Sequence, residues 1–179
     1  LDVIHCHKAL ILATKNNNPR ILEMLLAKTR NGTNVHAERC FRSMALLYAS
    51  SEGLLSIVSL LVAEDATDVN YSIPENKGST AIILASINGH VEVVRALISS
   101  GKCEIYRRNI RGQVALSFAT KASGIVDLIE DYSTLNPELL SDYEKASSNA
   151  GFVREFRSLE YDIGRIEVFL REGGDINSK

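Results

Sequence analysis

The residues most able to do chemistry are the histidines and cysteines near the start of the chain. His5, Cys6 and His7 are consecutive, and His36 and Cys40 lie four residues apart. Imidazole and thiolate groups are the usual ligands of zinc. However, three consecutive side chains cannot face one point in regular structure, and no Cys pair has the spacing of two to four residues that structural zinc sites prefer. We therefore expect no metal and no other cofactor.

A cysteine nucleophile is the second chemical possibility, with Cys40 as the thiol and His36 as its base. Such a pair needs a further group that orients the base, and the sequence specifies no acid for that role. The glycines do not show the spacing of a phosphate-binding loop, so none is predicted. The sequence thus contains no catalytic constellation, and we expect that the chain is not an enzyme and has no catalytic residues.

Composition and charge are those of an ordinary globular protein. The chain has 179 residues, of which 45% are hydrophobic, and 20 Lys and Arg stand against 22 Asp and Glu. Residues 1–126 carry 14 basic and 10 acidic side chains, for a net charge of +4, whereas residues 127–179 carry 6 and 12, for −6. Neither part has the strongly basic balance of a nucleic-acid-binding protein. Because the chain opens without Met, we expect it to be a fragment of a larger protein, and we separately expect this fragment to be monomeric.

The sequence also bears on where the protein works. It has no run of 18 apolar residues and no visible signal peptide, so we expect no membrane insertion. Its three cysteines, Cys6, Cys40 and Cys103, are odd in number and widely scattered, which favours a reducing compartment over a disulfide framework. These features predict an intracellular, cytoplasmic location.

The strongest pattern in the chain is an internal repeat. Two alanines four residues apart recur four times, and the second alanine of each pair is Ala13, Ala49, Ala85 or Ala119, at spacings of 36, 36 and 34 residues. An apolar helix that follows the first three pairs ends in Leu25-Leu26, Leu60-Leu61 and Leu97-Ile98. Two independent marks with one period predict a stack of similar structural units.

Residues 78–101 show the unit best. Thr80 can cap a first helix, and the small Ala81 and Ala85 lie on one face of it, where a neighbouring helix can approach closely. Gly89 supplies the positive φ that ends this helix, and a second helix with one apolar stripe runs to Gly101. A two-helix unit cannot bury its own apolar face, so neighbouring units must stack on it.

This unit resembles the ankyrin repeat. The matching residues run Gly78-Ser-Thr-Ala-Ile-Ile-Leu-Ala85 and Asn88-Gly-His-Val-Glu-Val-Val94, over a period of about 33 residues. The resemblance implies an all-α solenoid of about five helix-turn-helix units linked by β-hairpin-like fingers. We expect one array over residues 1–179, with units at about 5–40, 41–76, 77–110 and 111–135 and a divergent C-terminal unit at 136–179, including a helix from about Pro137 to Ser148.

The chain departs from the family pattern in a systematic way. In the second unit, Arg42 replaces the glycine that the family has at its turn. Alanine replaces the family's proline at Ala9, Ala45, Ala81 and Ala115. The histidine that links neighbouring repeats is replaced by Ile11, Leu47, Ile83 and Ser117. These replacements put the usual hydrogen bonds between repeats in question but leave the stacking positions intact.

The resemblance also implies where a partner binds, namely the concave face built from finger tips and first helices. The residues that map there are Glu38, Phe41, Arg42, Ser51, Glu52, Glu75, Lys77, Ser79, Ile87, Asn88, Arg108, Ile110, Arg111, Gln113 and Lys121. Phe41, predicted on an exposed finger, is a candidate apolar anchor. Several arginines and lysines lie on or beside the fingers, so an acidic protein or peptide would complement this face.

Two further hypotheses compete with a simple interaction module or scaffold. In one, the array is the targeting or substrate-recruiting domain of a larger enzyme or effector whose catalytic part lies outside this chain. In the other, the fingers from Arg107 to Arg111 bind nucleic acid, which the net charge of −2 disfavours.

Overall fold

Pairs of antiparallel helices, stacked one after another, make up the fold. The computed structural model describes residues 3–29, 35–119 and 124–136. The chain divides into two compact units, Leu1–Leu135 and Asn136–Lys179, and the fold below is that of the first. The predicted divergent unit at 136–179, with its helix from Pro137, lies outside the described residues.

Seven α-helices occupy the described part of the chain. They are α1 (Val3–Lys15), α2 (Pro19–Thr29), α3 (Val35–Ser51), α4 (Leu55–Ala63), α5 (Ala81–Ile87), α6 (Val91–Ser99) and α7 (Ile125–Leu135). Short 3-10 turns lie at Pro74–Asn76 and Ala115–Ser117. Within these ranges no strand is present, so the fingers, residues 73–79 and 107–113, are turns rather than hairpins. None of the described helices is long and apolar enough to span a membrane.

The helices pack in two rows. The inner helices α1, α3 and α5 lie side by side, and the outer helices α2, α4 and α6 form the second row. Both alanines of the second unit, Ala45 and Ala49, and both of the third, Ala81 and Ala85, are fully buried. The all-α repeat fold predicted from the sequence is confirmed.

The second unit begins differently from the prediction. A finger was expected over residues 38–43, but helix α3 starts at Val35 and runs through this segment. In the third and fourth units the residue three positions before the first alanine is Gly78 or Gly112, with φ of +68° and +74°. Positive φ ends a helix, whereas arginine is a good helix former. Arg42 at the same position therefore lets α3 extend by more than two turns.

Arg42 is also the centre of a buried polar cluster. Its side chain is 2% exposed, and its Nη2 donates to Thr29 Oγ1 at 2.8 Å. The guanidinium lies 3.8 Å from the Glu38 carboxylate and 3.5 Å from that of Glu64. The cluster joins α3 to α2 and to the end of α4, so Arg42 links the first two units. Glu38 and Arg42 are interior residues, and the prediction that they lie on an exposed finger is wrong.

Hydrogen bonds between units are made at positions other than that of the replaced linking histidine. Asn88 Nδ2 donates to the carbonyl of Ser51 at 3.0 Å, and His90 Nε2 contacts the same carbonyl at 3.0 Å. Asn70 Nδ2 donates to the carbonyl of Lys102, and its Oδ1 accepts from the N–H of Glu104. Each such bond contributes about 1 kcal/mol, less than the 1.5–3 kcal/mol of one buried Leu or Ile, so apolar stacking dominates the stability.

At helix α5, the glycine predicted at the C-terminal end adopts the expected conformation, whereas the cap predicted at the N-terminal end is not formed. Gly89 ends the first helix of the third unit with φ of +72°, as predicted. Thr80 precedes α5 at the N-cap position, but its hydroxyl makes no capping hydrogen bond and is buried without a partner in the described part of the chain. The equivalent helix of the fourth unit is only the 3-10 turn Ala115–Ser117.

Replacing Arg42 tests the buried cluster. Arg42→Met leaves the Glu38 and Glu64 carboxylates close together without their cation, so we expect a loss of about 3 kcal/mol in the free energy of unfolding. Arg39→Met is the control on the same helix, because Arg39 is solvent-exposed and its pair with Asp68, at 3.3 Å, should be worth less than about 1 kcal/mol. Urea denaturation measures both. Equal losses would show that Arg42 is no more important than a surface arginine.

Gly53 tests the contact between the second and third units. A Cβ at Gly53, where φ is +71°, would lie 2.6 Å from Nδ1 of His90, whereas a Cβ at Gly101, with φ of +67°, meets nothing within 4 Å. We expect Gly101→Ala to cost about 1 kcal/mol from backbone strain and Gly53→Ala about 3 kcal/mol. In a His90→Ala background the cost of Gly53→Ala should fall to that of Gly101→Ala. A cost that is unchanged in that background would contradict the close packing of His90 on Gly53.

Candidate functional site

The inner helices share an exposed face. Side chains three and six residues after the first alanine of a pair are exposed or partly exposed in all three helices. In α1, α3 and α5 these residues are Leu12, Lys15, Tyr48, Ser51, Leu84 and Ile87, which we call the inner-helix stripe. Because the three helices lie side by side, equal offsets place these residues in two parallel rows.

Contacts between neighbouring helices confirm that the stripe is continuous. The Lys15 ammonium lies over the Tyr48 ring, 5.9 Å from its centre, and joins α1 to α3. Asn88, at the end of α5, donates to the carbonyl of Ser51 at 3.0 Å and reaches its hydroxyl at 3.3 Å. The C-terminal ends of the three inner helices therefore form one surface.

This surface is largely apolar. Leu12 is 57% exposed and Ile87 is 46% exposed, and Tyr48 and Leu84 are partly exposed. Met44, on the same side of α3 one turn before Tyr48, is 38% exposed. Single exposed apolar side chains are common on protein surfaces, but a row that crosses three helices is a typical feature of a binding surface.

The two fingers lie against each other beside the start of α5. The N–H of Ile110 donates to the carbonyl of Lys77 at 3.0 Å, and the Ile110 side chain lies over Gly78 while remaining 74% exposed. Asn109 Oδ1 accepts hydrogen bonds from the N–H groups of Arg111 and Gln113 at 2.9 and 3.0 Å. These bonds fix the second finger and hold its tip residues outward.

Some of the cations at or beside the fingers are held in ion pairs. Arg39 is paired with Asp68 at 3.3 Å, and Arg107 with Glu104 at 2.9 Å. Arg108 donates to the carbonyl of Gly112 at 2.7 Å and is still exposed. Lys77 and Arg111 are exposed and make no ion pair with any described residue. The basic character of the finger region thus depends on Lys77, Arg108 and Arg111.

The predicted site residues fall into groups in the structure. Glu38, Arg42 and Ser79 are buried, so the surface expectation for them is wrong. Phe41, Ser51 and Gln113 are partly exposed, and Phe41 lies within α3 rather than on a finger. Those that are exposed are Glu52, Glu75, Lys77, Ile87, Asn88, Arg108, Ile110 and Arg111. Lys121 lies outside the described residues.

Sequence reasoning missed four apolar residues of this face, namely Leu12, Met44, Tyr48 and Leu84. The sequence contains a pattern that could have identified three of them, because Leu12, Tyr48 and Leu84 all stand three residues after the first alanine of a pair. The alanines mark the buried side of each helix. A residue three positions after the first alanine lies to one side of that buried face, where it can be exposed.

The structure describes some of the residues considered for chemistry. No group of three or more His, Cys, Asp and Glu side chains within the described residues is placed to hold a metal. His36 is exposed on α3, and Cys40 is partly buried beside Tyr71, whose hydroxyl pKa is raised by burial and then by the Cys40 thiol. Burial raises the pKa of Cys103 to about 12, so this thiol stays protonated and is a poor nucleophile.

Comparison with known proteins agrees with this architecture. The family model for ankyrin repeats, in three copies, matches residues 10–109, which is more than half of the chain. The chain is 33% identical over 98 residues to glycerophosphocholine phosphodiesterase GDE1 of Candida albicans, a match that covers 54% of the chain and 8% of that protein. It is 36% identical over 59 residues to cortactin-binding protein 2 of Aotus nancymaae, covering 33% of the chain and 4% of that protein.

Cortactin-binding protein 2 of Ateles geoffroyi is also 36% identical to the chain over 59 residues, and this match covers 33% of the chain and 3% of that protein. The chain thus spans less than a tenth of the length of these relatives. The stacked helical pairs, the repeat period and the family match lead to one conclusion. This chain belongs to the ankyrin-repeat family.

Proposed function

We propose that the chain binds a protein partner on the face formed by the inner-helix stripe and the fingers. Ankyrin repeats are generally protein-interaction modules. The observation that carries the proposal for this face is the row of exposed apolar side chains across α1, α3 and α5. Burial of such side chains in a partner is the usual main source of binding energy. The helices beneath are held by packing, so the face is preorganised and loses little entropy on binding.

The finger cations indicate the chemistry of the partner. Lys77 and Arg111 make no ion pair with described residues, and Arg108 is exposed beside them. Glu75 is the acidic side chain on the same pair of fingers. We infer that the partner is an acidic protein or peptide that places apolar side chains on the inner-helix stripe and carboxylates on these cations. Charge complementarity of this kind contributes more to association rate and specificity than to affinity.

Nucleic acid is a less suitable partner for the same face. The net charge of the chain is −2, and Arg107, at one side of the finger, is already paired with Glu104. Binding along a phosphate backbone requires many phosphate contacts, and three cations beside an apolar row do not provide them. This argument favours a protein partner.

The alternative is that the array recruits a partner or substrate for a larger enzyme. The short coverage of the phosphodiesterase match supports it, because the matched segment is only 8% of that longer protein. The binding face would be the same in that case. Sequencing the full reading frame distinguishes the two proposals, since only the alternative requires a catalytic domain in the same polypeptide.

Charge reversal at the fingers tests the partner's chemistry. The immobilised chain is used to capture proteins from a cell extract, and a captured protein is then purified and titrated. We expect Arg108→Glu with Arg111→Glu to weaken its binding about tenfold or more and to remove most of the salt dependence. The control is Arg20→Glu with Lys28→Glu on α2, which makes the same change in net charge at exposed positions away from the face. Equal effects of the two pairs would rule out a specific role for the fingers.

A single substitution tests the apolar row in the same titration. Ile87→Asp places a charge where we expect a buried contact, and we expect it to weaken binding at least about thirtyfold, as for a central interface residue. Ile21→Asp is a close control, because Ile21 is 47% exposed on the outer helix α2 and Ile87 is 46% exposed. Circular dichroism checks that both variants keep their helix content. Unchanged binding by folded Ile87→Asp would contradict the proposed face.

A further inference from the structure

A groove lies between α6 and α7, on the outer row of helices and away from the inner-helix stripe. Its volume is about 300 Å³. Ile98 from α6 and Leu128, Tyr132 and Leu135 from α7 contribute apolar side chains to its lining. Nothing in the family match or the relatives' names assigns a role to this groove.

The groove exists because α7 presents two different apolar stripes. Ile125, Val126, Ile129 and Ser133 are buried against the rest of the fold, and Ser133 is hydrogen-bonded to the Tyr106 hydroxyl of the preceding loop. This bond fixes the rotation of the helix. Leu128, Tyr132 and Leu135, at i, i+4 and i+7, lie on the adjacent side and line the groove. α7 also packs less extensively on α6 than α6 does on α4, which leaves the second stripe open.

Two carboxylates form the outer edge of the groove. Asp127 and Asp131 are exposed, stand four residues apart on α7 and therefore lie one helical turn from each other. Neither makes an ion pair with a described residue. On the opposite wall the Arg95 guanidinium is already paired with Glu92 at 3.4 Å. The groove thus combines an apolar floor with a negatively charged edge.

We propose that this groove is a second docking site and that its occupant is a basic amphipathic helix. Apolar side chains of the occupant lie on Ile98, Leu128 and Leu135, and its lysines or arginines, spaced by one turn, pair with Asp127 and Asp131. Spacing as well as sign favours this occupant, because cations at i and i+4 of a helix match carboxylates at the same separation. The inner-helix stripe has cations beside it instead, so the two surfaces differ in the sign of their charge. This inference does not depend on the proposed function.

The test uses a labelled amphipathic peptide of leucine and lysine with leucines at helical spacing, titrated into the full chain by fluorescence anisotropy. We expect saturable binding that weakens about tenfold in the Asp127→Lys, Asp131→Lys variant and is reduced by salt. The matched control is Glu23→Lys with Glu130→Lys, which reverses two exposed acids outside the groove. A twin peptide with glutamate in place of every lysine should not bind the groove.

The apolar floor is tested separately with Leu135→Gln. Leu135 is 80% exposed, so the variant should fold normally, and we expect peptide binding to weaken severalfold with its salt dependence unchanged. The proposal is overturned if the groove and control reversals weaken the peptide equally, or if Leu135→Gln has no effect. It is also overturned if light scattering shows that the chain dimerises and that the groove reversal dissociates the dimer, because the occupant would then be a second copy.

Discussion

The burial of each helical pair against its neighbours is the interaction on which the rest of this structure depends. A pair such as α5 and α6 has an apolar side far too large to leave in water, and only the adjacent pairs can cover it. Fully buried Ile83, Leu97 and Ile57 show that this covering is complete in the middle of the stack. The binding surfaces follow from it, because side chains that do not take part in stacking are held outward on rigid helices.

Much of this stacking could be predicted from the sequence, because it depends on residue size at a fixed period. The alanine pairs recur at 34 to 36 residues and the apolar pairs at 35 and 37 residues, and at least one residue of every pair is buried. The positive φ of Gly89 was likewise predictable, since glycine adopts that conformation most easily. Periodic features of this kind need no knowledge of distant contacts.

The second unit shows where sequence reasoning failed. The family pattern places a finger at residues 38–43, but its turn depends on the glycine that Arg42 replaces, so the helix continues. A buried arginine could not be expected from the sequence alone, because its burial depends on Glu64, 22 residues away, and Thr29, 13 residues away in the other direction. The same limit explains which residues of the candidate site could be predicted from the sequence. Exposed finger residues such as Lys77 and Arg111 were found by analogy, whereas the apolar row required the side-by-side packing of three helices.

Hydrogen exchange of the chain, measured with and without an identified partner, shows directly whether the inner helices and fingers form the binding face. Partner binding should slow exchange in the fingers, residues 73–79 and 107–113, and at the C-terminal ends of α3 and α5. The outer helices α2 and α4 should exchange at the same rate in both samples. Slowed exchange confined to α2 and α4, with the fingers unchanged, would contradict the claim.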